Sequence, residues 1–457
     1  MVVKGNFGEG RISTHLARQA LPIFVAELVH VLYNIVDRMF LGRIPGEGVL
    51  ALSGVGIVFP LITLINAFSS LFGQGGSPLC AIARGKGNDD LAKRIMATSF
   101  TMMILTGAIL TIILYFSMDL FLSLMGATAE NIVPARQYFS VYLFGTIFVM
   151  ISLGMNPFIN MQGNSGIGMV TVIIGAALNC ILDPIFIFTL GLGVRGAAIA
   201  TVISQFFSAT WVVLFLTRKT TKIRLERLLI DWGILRKITK LGVTGFMFKS
   251  TTSLTQAVAN NVLKLYAGAA GTLYIGAMSL VNSVREITFL PTSSITASMQ
   301  PIAGYNYGAK KYSRVRNVLK LTGAITLVIN GCIWLLIELR PQILAGMFTQ
   351  DPELLATSSA SMRIYFAALI FMVGQMMGQN TFVSLNCPKR ALFFSLFRKV
   401  ILVVPFTIIF PIFMGINGVF ITEAVSQLVG GSACFLTMIF TIYRKLIKTK
   451  DGEELTV

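Results

Sequence analysis

Two polar residues lie in the middle of an apolar run, residues 169–190, that is long enough to cross a bilayer. The stretch LNCILDPIFIF, 178–188, carries Asn179 and Asp183 four residues apart. At helical pitch that spacing puts both side chains on one face. A carboxylate at the centre of a membrane helix costs about 2.5–3.5 kcal/mol to insert, so it must face a wet cavity or a partner. Pro184 follows at once, removing one backbone donor and inviting a kink that frees carbonyls beside the acid. An amide, a carboxylate and freed carbonyls are the oxygen donors a cation site needs. The competing reading is a structural acid that caps or pairs within a helix bundle. Intramembrane ionisable groups are functional by default, which favours the cation site.

A second polar stripe sits near the N-terminus. In VAELVHVLYNIVDRMFLG, Glu27, His30, Asn34 and Asp37 recur at spacings of three and four, on one side of an otherwise apolar helix. Buried polar groups need partners, so this stripe must face the inside of a bundle. Arg38, next to Asp37, is directed elsewhere. Further on, Gln256, Asn260 and Lys264 share a face at four-residue steps, with Lys249 shortly before them; Asn282, Arg285 and Glu286 precede Pro291. Arg285 with Glu286, or Lys264 with Glu423, read equally well as structural ion pairs. Methionines and aromatics crowd two segments, around Met150 and Met376. Most are expected to pack, and some to form an adaptable wall for assorted apolar ligands. Asn156 joins the candidate lining of a cavity.

The elements that must hold these residues are membrane helices. The chain has 457 residues, of which 55% are hydrophobic and only 12% charged, against about 25% charged in soluble domains. Apolar runs separated by short charged or Gly/Pro breaks predict about twelve spans. In the first half they cover 16–41, 50–76, 95–117, 133–158, 166–190 and 196–217. In the second they cover 242–266, 274–301, 317–338, 358–384, 394–414 and 418–443. No cleavable signal peptide is expected, since the first run is too long and follows a polar start. Near its end the second span carries Gly73-Gln74-Gly75-Gly76, where a kink or close helix contact is expected rather than phosphate binding.

The net charge of +18 would suit a nucleic-acid binder, but its placement argues against one. Basic residues cluster in 84–94, 218–240, 310–320, 389–399 and 444–450, which are alternate loops and the tail. That asymmetry predicts cytoplasmic basic loops and two cytoplasmic termini, and it faces anionic lipid headgroups. Five scattered cysteines without a CxxC, and two histidines, make a metal or redox centre unexpected.

An internal repeat sets the expected architecture. FGTIFVMISLGMNPFINMQGN, 144–164, runs parallel to FAALIFMVGQMMGQNTFVSLN, 366–386; GVRGAAIATVISQ, 193–205, matches GINGVFITEAVSQ, 415–427. The loop ARGKGNDDLAKR, 83–94, echoes YNYGAKKYSRVR, 305–316. A near-constant offset of half the length predicts two homologous six-helix lobes: 1–217, a cytoplasmic linker 218–241, and 242–457. An even number of spans per half implies a pseudo-two-fold along the membrane normal, a design suited to alternating access. At the repeat offset Thr201 corresponds to Glu423, and Asp183 to Pro405. The acidic site therefore belongs to the first half alone.

YNIVDRMFLG, LNCILDPIFIF, GAAIATVISQ and QPIAGYNYGA (300–309) together resemble the multidrug and toxic compound extrusion (MATE) family, across nearly the whole chain. The resemblance fits the DinF-like and MepA-like branches alike. It implies an all-α exporter of varied, often cationic organic compounds, driven by H⁺ or Na⁺. It also implies a cation site in the N-lobe made by Asp37, Asn179, Asp183 and Thr201. The NorM-like branch uses acids on spans seven and ten; no Asp or Glu occurs in 242–266 or 358–386 here.

The expectation is thus a cation-coupled antiporter of the bacterial inner membrane, not an enzyme, without cofactor or bound metal beyond Na⁺. Its partners are drug-like small molecules and membrane lipid, with no nucleic acid, and a monomer is expected. Glu286 and Glu423 are the expected counter-charges for a cationic substrate. The alternative is a lipid-linked saccharide flippase, which would need several cavity cations; Arg285, Lys264 and Lys249 are the candidates. A channel or a membrane enzyme lacks its signature, since no filter motif repeats and no nucleophile–base–metal set appears.

Overall fold

A computed structural model describes residues 6–267 and 271–455, together with most of their side chains. The fold is all-helical; among the described residues there is no strand. Six helices come from the first half: α1 (Ile12–Gly42), α2 (Gly48–Gly85), α3 (Asp89–Phe116), α4 (Ile132–Met161), α5 (Ser165–Thr189) and α6 (Gly193–Thr217). Six come from the second: α7 (Trp232–Ala267), α8 (Gly271–Gly308), α9 (Tyr312–Leu339), α10 (Pro352–Phe366 with Leu369–Ser384), α11 (Pro388–Met414) and α12 (Asn417–Lys448). Nine of them are long and apolar enough to cross a membrane, and α10, bent by 48° at its break, makes a tenth. The remaining two, α7 and α8, are long enough but carry more polar residues; these are the helices that hold the Gln256 and Asn282 stripes. The protein is a multi-pass membrane protein with a two-lobe fold.

Local sequence explains most helix ends. Asn88 accepts from the Leu91 amide and starts α3, while Gly87, at φ +76°, ends α2 in the left-handed region. Asp351 caps α10 by accepting from the Leu354 amide, with Pro352 at the first helical position. Several helices run past their apolar stretches into basic ends, because a helix does not need to stop where the hydrocarbon does. The largest consequence is in α11. The expected span begins at 394, and the helix begins at Pro388; Arg398 and Lys399, which fall both in the basic cluster 389–399 and in that span, are buried within the helix.

The chain gathers into two compact units, Leu21–Lys249 in one and Phe7–Ala20 with Ser250–Val457 in the other. In the first, α2 packs on α3 and α4, and α5 on α6. The Gly73–Gly76 run is a set of close helix contacts. A Cβ on Gly73 would fall 2.5 Å from the Gly154 carbonyl oxygen of α4, and one on Gly75 would fall 2.3 Å from the Ile238 carbonyl oxygen of α7. Gly242 answers from α7, where a Cβ would meet the Leu71 carbonyl oxygen at 1.8 Å. The polar segment 218–231 is tied to the same unit: Gln162 exchanges bonds with the Ile223 backbone, Lys93 pairs with Glu226 at 2.7 Å, and Arg94 pairs with Asp231. In the second unit α8 packs on α9 and α10, and α11 on α12.

Candidate functional site

The acids of the first unit converge. Asn179 and Asp183 lie on one face of α5 and are almost completely buried, at 2% and 0% exposure. The Asn179 amide donates to Asp183 Oδ1 at 3.0 Å, closing the four-residue spacing. It also reaches Thr201 Oγ1 on α6, at 3.4 Å. Thr201 gives its own proton to the Ala197 carbonyl at 3.0 Å, which leaves its oxygen lone pairs turned outward as acceptors. Asp37 arrives from α1, with its carboxyl within hydrogen-bonding reach of the Asp183 carboxyl. Immediately after Asp183 the helix widens into a π turn over Ile185–Thr189. Pro184 supplies the reason, since it cannot donate to the preceding turn.

This cluster has more acceptors than donors. Asp37 Oδ1, Asn179 Oδ1 and Asp183 Oδ2 are each buried with no donor. Two ionised carboxylates cannot bond to one another, so the pair requires a shared proton or a cation between them. An oxygen-only set with two acids fits a hard monovalent ion or a proton. No group of three or more His, Cys, Asp or Glu side chains able to hold a metal occurs among the described residues.

Two tyrosines that the sequence reading missed, Tyr33 and Tyr138, lie beside the acids, and a third, Tyr142, packs on Tyr138. Tyr33 feels the charges of both Asp37 and Asp183. Tyr138 lies within hydrogen-bonding reach of Thr201 and stacks on Tyr142 at 6.0 Å between ring centroids. The i, i+4 spacing of Tyr138 and Tyr142 in α4 was the available signal.

The rest of the first stripe is looser. Asn34 donates to the His30 carbonyl at 2.7 Å and lies 3.2 Å from His30 Nδ1, and both sit at the accessible side of α1, as does half-buried Glu27. Arg38 turns away over the Phe59 ring, 5.4 Å from its centroid. Asn156 serves helix contact: its amide donates to the Gly168 carbonyl at 3.1 Å, joining α4 to α5. Met150 and Met376 are packed in the interiors of their respective units.

In the second unit Gln256, Asn260, Asn282 and Glu286 lie at partly or fully exposed positions. The Lys264 side chain lies outside the described residues. Glu423 differs from expectation, because it is buried and already paired: Arg398 donates to its Oε1 at 2.7 Å and Gln427 at 3.3 Å. Its partner is Arg398 on α11.

Two units of membrane helices with a buried, donor-poor acid pair in one of them fit a membrane transporter. The MatE family model matches residues 22–185 and 250–409, one segment in each half, and the chain belongs to this family of transporters. The multidrug export protein MepA of Staphylococcus haemolyticus is 24% identical over 80% of this chain and 79% of its own length. The probable multidrug resistance protein YoeA of Bacillus subtilis is 25% identical over 73% of both chains. Of the two branches the sequence left open, such relatives support the MepA-like one. A multidrug resistance MATE family transporter solved in an outward-facing conformation aligns with a TM-score of 0.90 at 24% identity, over 98% of this chain and 100% of its own; that likeness speaks for the fold.

Proposed function

We propose that this protein is an antiporter that exports small organic compounds, many of them cationic, in exchange for H⁺ or Na⁺ entering at Asp37 and Asp183. The observation that carries the reading is the facing of these two carboxyls across α1 and α5 with buried, donor-free oxygens. Such a pair changes its charge when it takes up or loses one cation. A helix set that packs differently around the loaded and empty pair converts that binding into a conformational bias. Asn179 and Thr201 complete the oxygen set. The MepA and YoeA relatives are named for multidrug export and resistance, which supports a range of small organic cargoes.

The placement of basic residues supports an orientation with both termini in the cytoplasm of a bacterial plasma membrane. Cysteines introduced singly at Lys222 and Arg314 should resist a membrane-impermeant maleimide applied to intact cells. Labelling there would reverse the orientation.

The deciding experiment is efflux of a fluorescent organic cation in everted vesicles, with a pH gradient and a sodium gradient imposed separately. One of the two should drive transport in the wild type, and Asp37→Asn should fall to the passive leak. Wild-type transport by Asp37→Asn would remove the acid pair from the mechanism.

A further inference from the structure

Two cavities of the second unit run into each other at Lys320. The first, of about 600 Å³, is a trough between α9, α10 and α12, walled by Leu327, Phe371, Met377, Phe435, Leu436 and Ile439. The second, of about 670 Å³, lies between α9 and the start of α1, whose residues 7–20 belong to the same unit, and is lined by Arg11, Ser13, Arg314 and Asn317. Lys320 and Ala324 line both, so an apolar space and a basic one are continuous.

Uneven backbone packing makes the trough. A Cβ on Gly431 of α12 would fall 2.2 Å from the Phe371 carbonyl oxygen of α10, so those two helices touch. The third helix, α9, does not close over them: a Cβ on Gly323 would meet nothing nearer than the Met377 methyl carbon, at 3.8 Å. Leu327, Phe371, Phe435 and Leu436 are left exposed along the sides, a surface that hydrocarbon covers and water does not. Only one end is polar, where Lys320 and Tyr443 line the trough and Arg316 bonds to the Leu446 carbonyl, joining the start of α9 to the end of α12. From Tyr443 to Gly431 the trough follows α12 for about 18 Å at helical rise, close to the hydrocarbon depth of one leaflet.

The basic cavity is held firmly and carries net positive charge. Arg314 donates to the carbonyls of Gly10, Phe7 and Glu9 at 3.0, 3.0 and 3.1 Å, fixing the chain before α1 against α9. Carbonyl oxygens do not neutralise a guanidinium, which stays charged. Among the described residues no carboxylate lies within 4.0 Å of Arg11, Arg314 or Lys320. Glu9 is the acid whose field reaches Arg314, and its side chain is exposed. Asp451 is engaged elsewhere, accepting from the Ser313 amide at 2.8 Å.

We propose that the joined cavities hold one anionic glycerophospholipid, its phosphate among Arg11, Arg314 and Lys320 and one acyl chain in the trough. A soluble phosphate ester would leave the trough empty, and a neutral lipid would leave three cations against one acid. Basic clusters beside membrane helices attract anionic headgroups, and the stem of Lys320 lies along the apolar wall while its charge meets the phosphate. The bound lipid bridges the start of α1 to α9, and α9 to α12. The inference goes beyond the transport reading and does not depend on it, since binding needs no gradient.

The test is native mass spectrometry of the full chain in mild detergent, with palmitoyl-oleoyl phosphatidylglycerol or the matching phosphatidylcholine added at equal concentration. The phosphatidylglycerol adduct should be favoured about tenfold. Lys320→Gln should lower that preference about fivefold, and Lys320→Arg should keep it. Gly323→Leu fills the trough, meets no backbone of another helix and puts a better helix former in α9; it should reduce the adducts of both lipids. Glycerol phosphate, a headgroup without chains, should not displace the lipid. Equal wild-type adducts of the two lipids, or an unchanged preference in Lys320→Gln, would overturn the proposal. Undiminished adducts in Gly323→Leu would remove the acyl chain from the trough and overturn it too, and displacement by glycerol phosphate would give the basic cavity to a soluble anion instead. Asp37→Asn should bind phosphatidylglycerol as the wild type does, so failure of the coupling pair and failure of the lipid site read out separately.

Discussion

Asn179 donates its amide to Asp183 across one turn of α5 at 3.0 Å, and both residues keep a buried oxygen that no donor reaches. A purely structural pairing would use up the acceptors. Here the hydrogen bond orients the carboxylate and leaves the other oxygens open, as the proposed cation site requires.

Asp183→Asn should lose gradient-driven efflux as completely as Asp37→Asn, with folding retained, because an amide keeps the shape and cannot titrate. The double variant should be little worse than either single one, since the pair acts as a unit. Vesicle transport measures this; additive losses would mean that the two acids work separately.

Asn179→Leu should destabilise the protein by about 1–3 kcal/mol, because Asp183 loses the Asn179 amide donor while remaining buried. Thermal unfolding in detergent gives the loss. An unchanged melting temperature would show that another group takes over the role of the amide.

If the coupling ion is Na⁺, saturating sodium should raise the melting temperature of the wild type, with about 2.7 kcal/mol of stabilisation at a hundred times Kd. Thr201→Val should weaken that effect, and Asp37→Asn should abolish it. Stabilisation equal in potassium chloride would assign the effect to ionic strength and favour H⁺.

Gly242→Ala should disrupt the seating of α7 on α2. The new Cβ would fall 1.8 Å from the Leu71 carbonyl oxygen, which belongs to the backbone and cannot rotate away. The cost is at least the about 1–3 kcal/mol usual for overpacking, read as lowered thermal stability or loss of monodisperse protein. A variant as stable as wild type would mean that the two helices can separate freely.

In the polar segment, Lys93 and Arg224 hold the Glu226 carboxyl down to about 2. A depressed acid contributes stability above its unfolded value, about 4.3, and loses it as pH falls through the folded one. Hydrogen exchange around residues 225–231 should therefore be constant above pH 5, after correction for intrinsic rates, and accelerate below about pH 4. Glu226→Gln should show faster tryptic cleavage near Arg224 at neutral pH, while efflux is unchanged. Protection that declines between pH 8 and 6 would place control with other groups.

The sequence alone determined an all-helical, multi-pass membrane fold and pointed to the acids worth watching. Apolar runs must match the thickness of the bilayer, and ionisable residues inside them are too costly to be incidental. Periodicity also placed Asn179 and Asp183 on one face, because their partnership lies within a single helical turn. Tertiary structure decided what no local spacing encodes. Asp37 meets Asp183, and Tyr138 meets Thr201, only once separate helices pack, and nothing in either stretch names the other. The facing of Arg398 and Lys399 escaped for a different reason. Their charge read as a basic cluster at the membrane surface, whereas both lie buried in a π-helical stretch, where Glu423 meets Arg398.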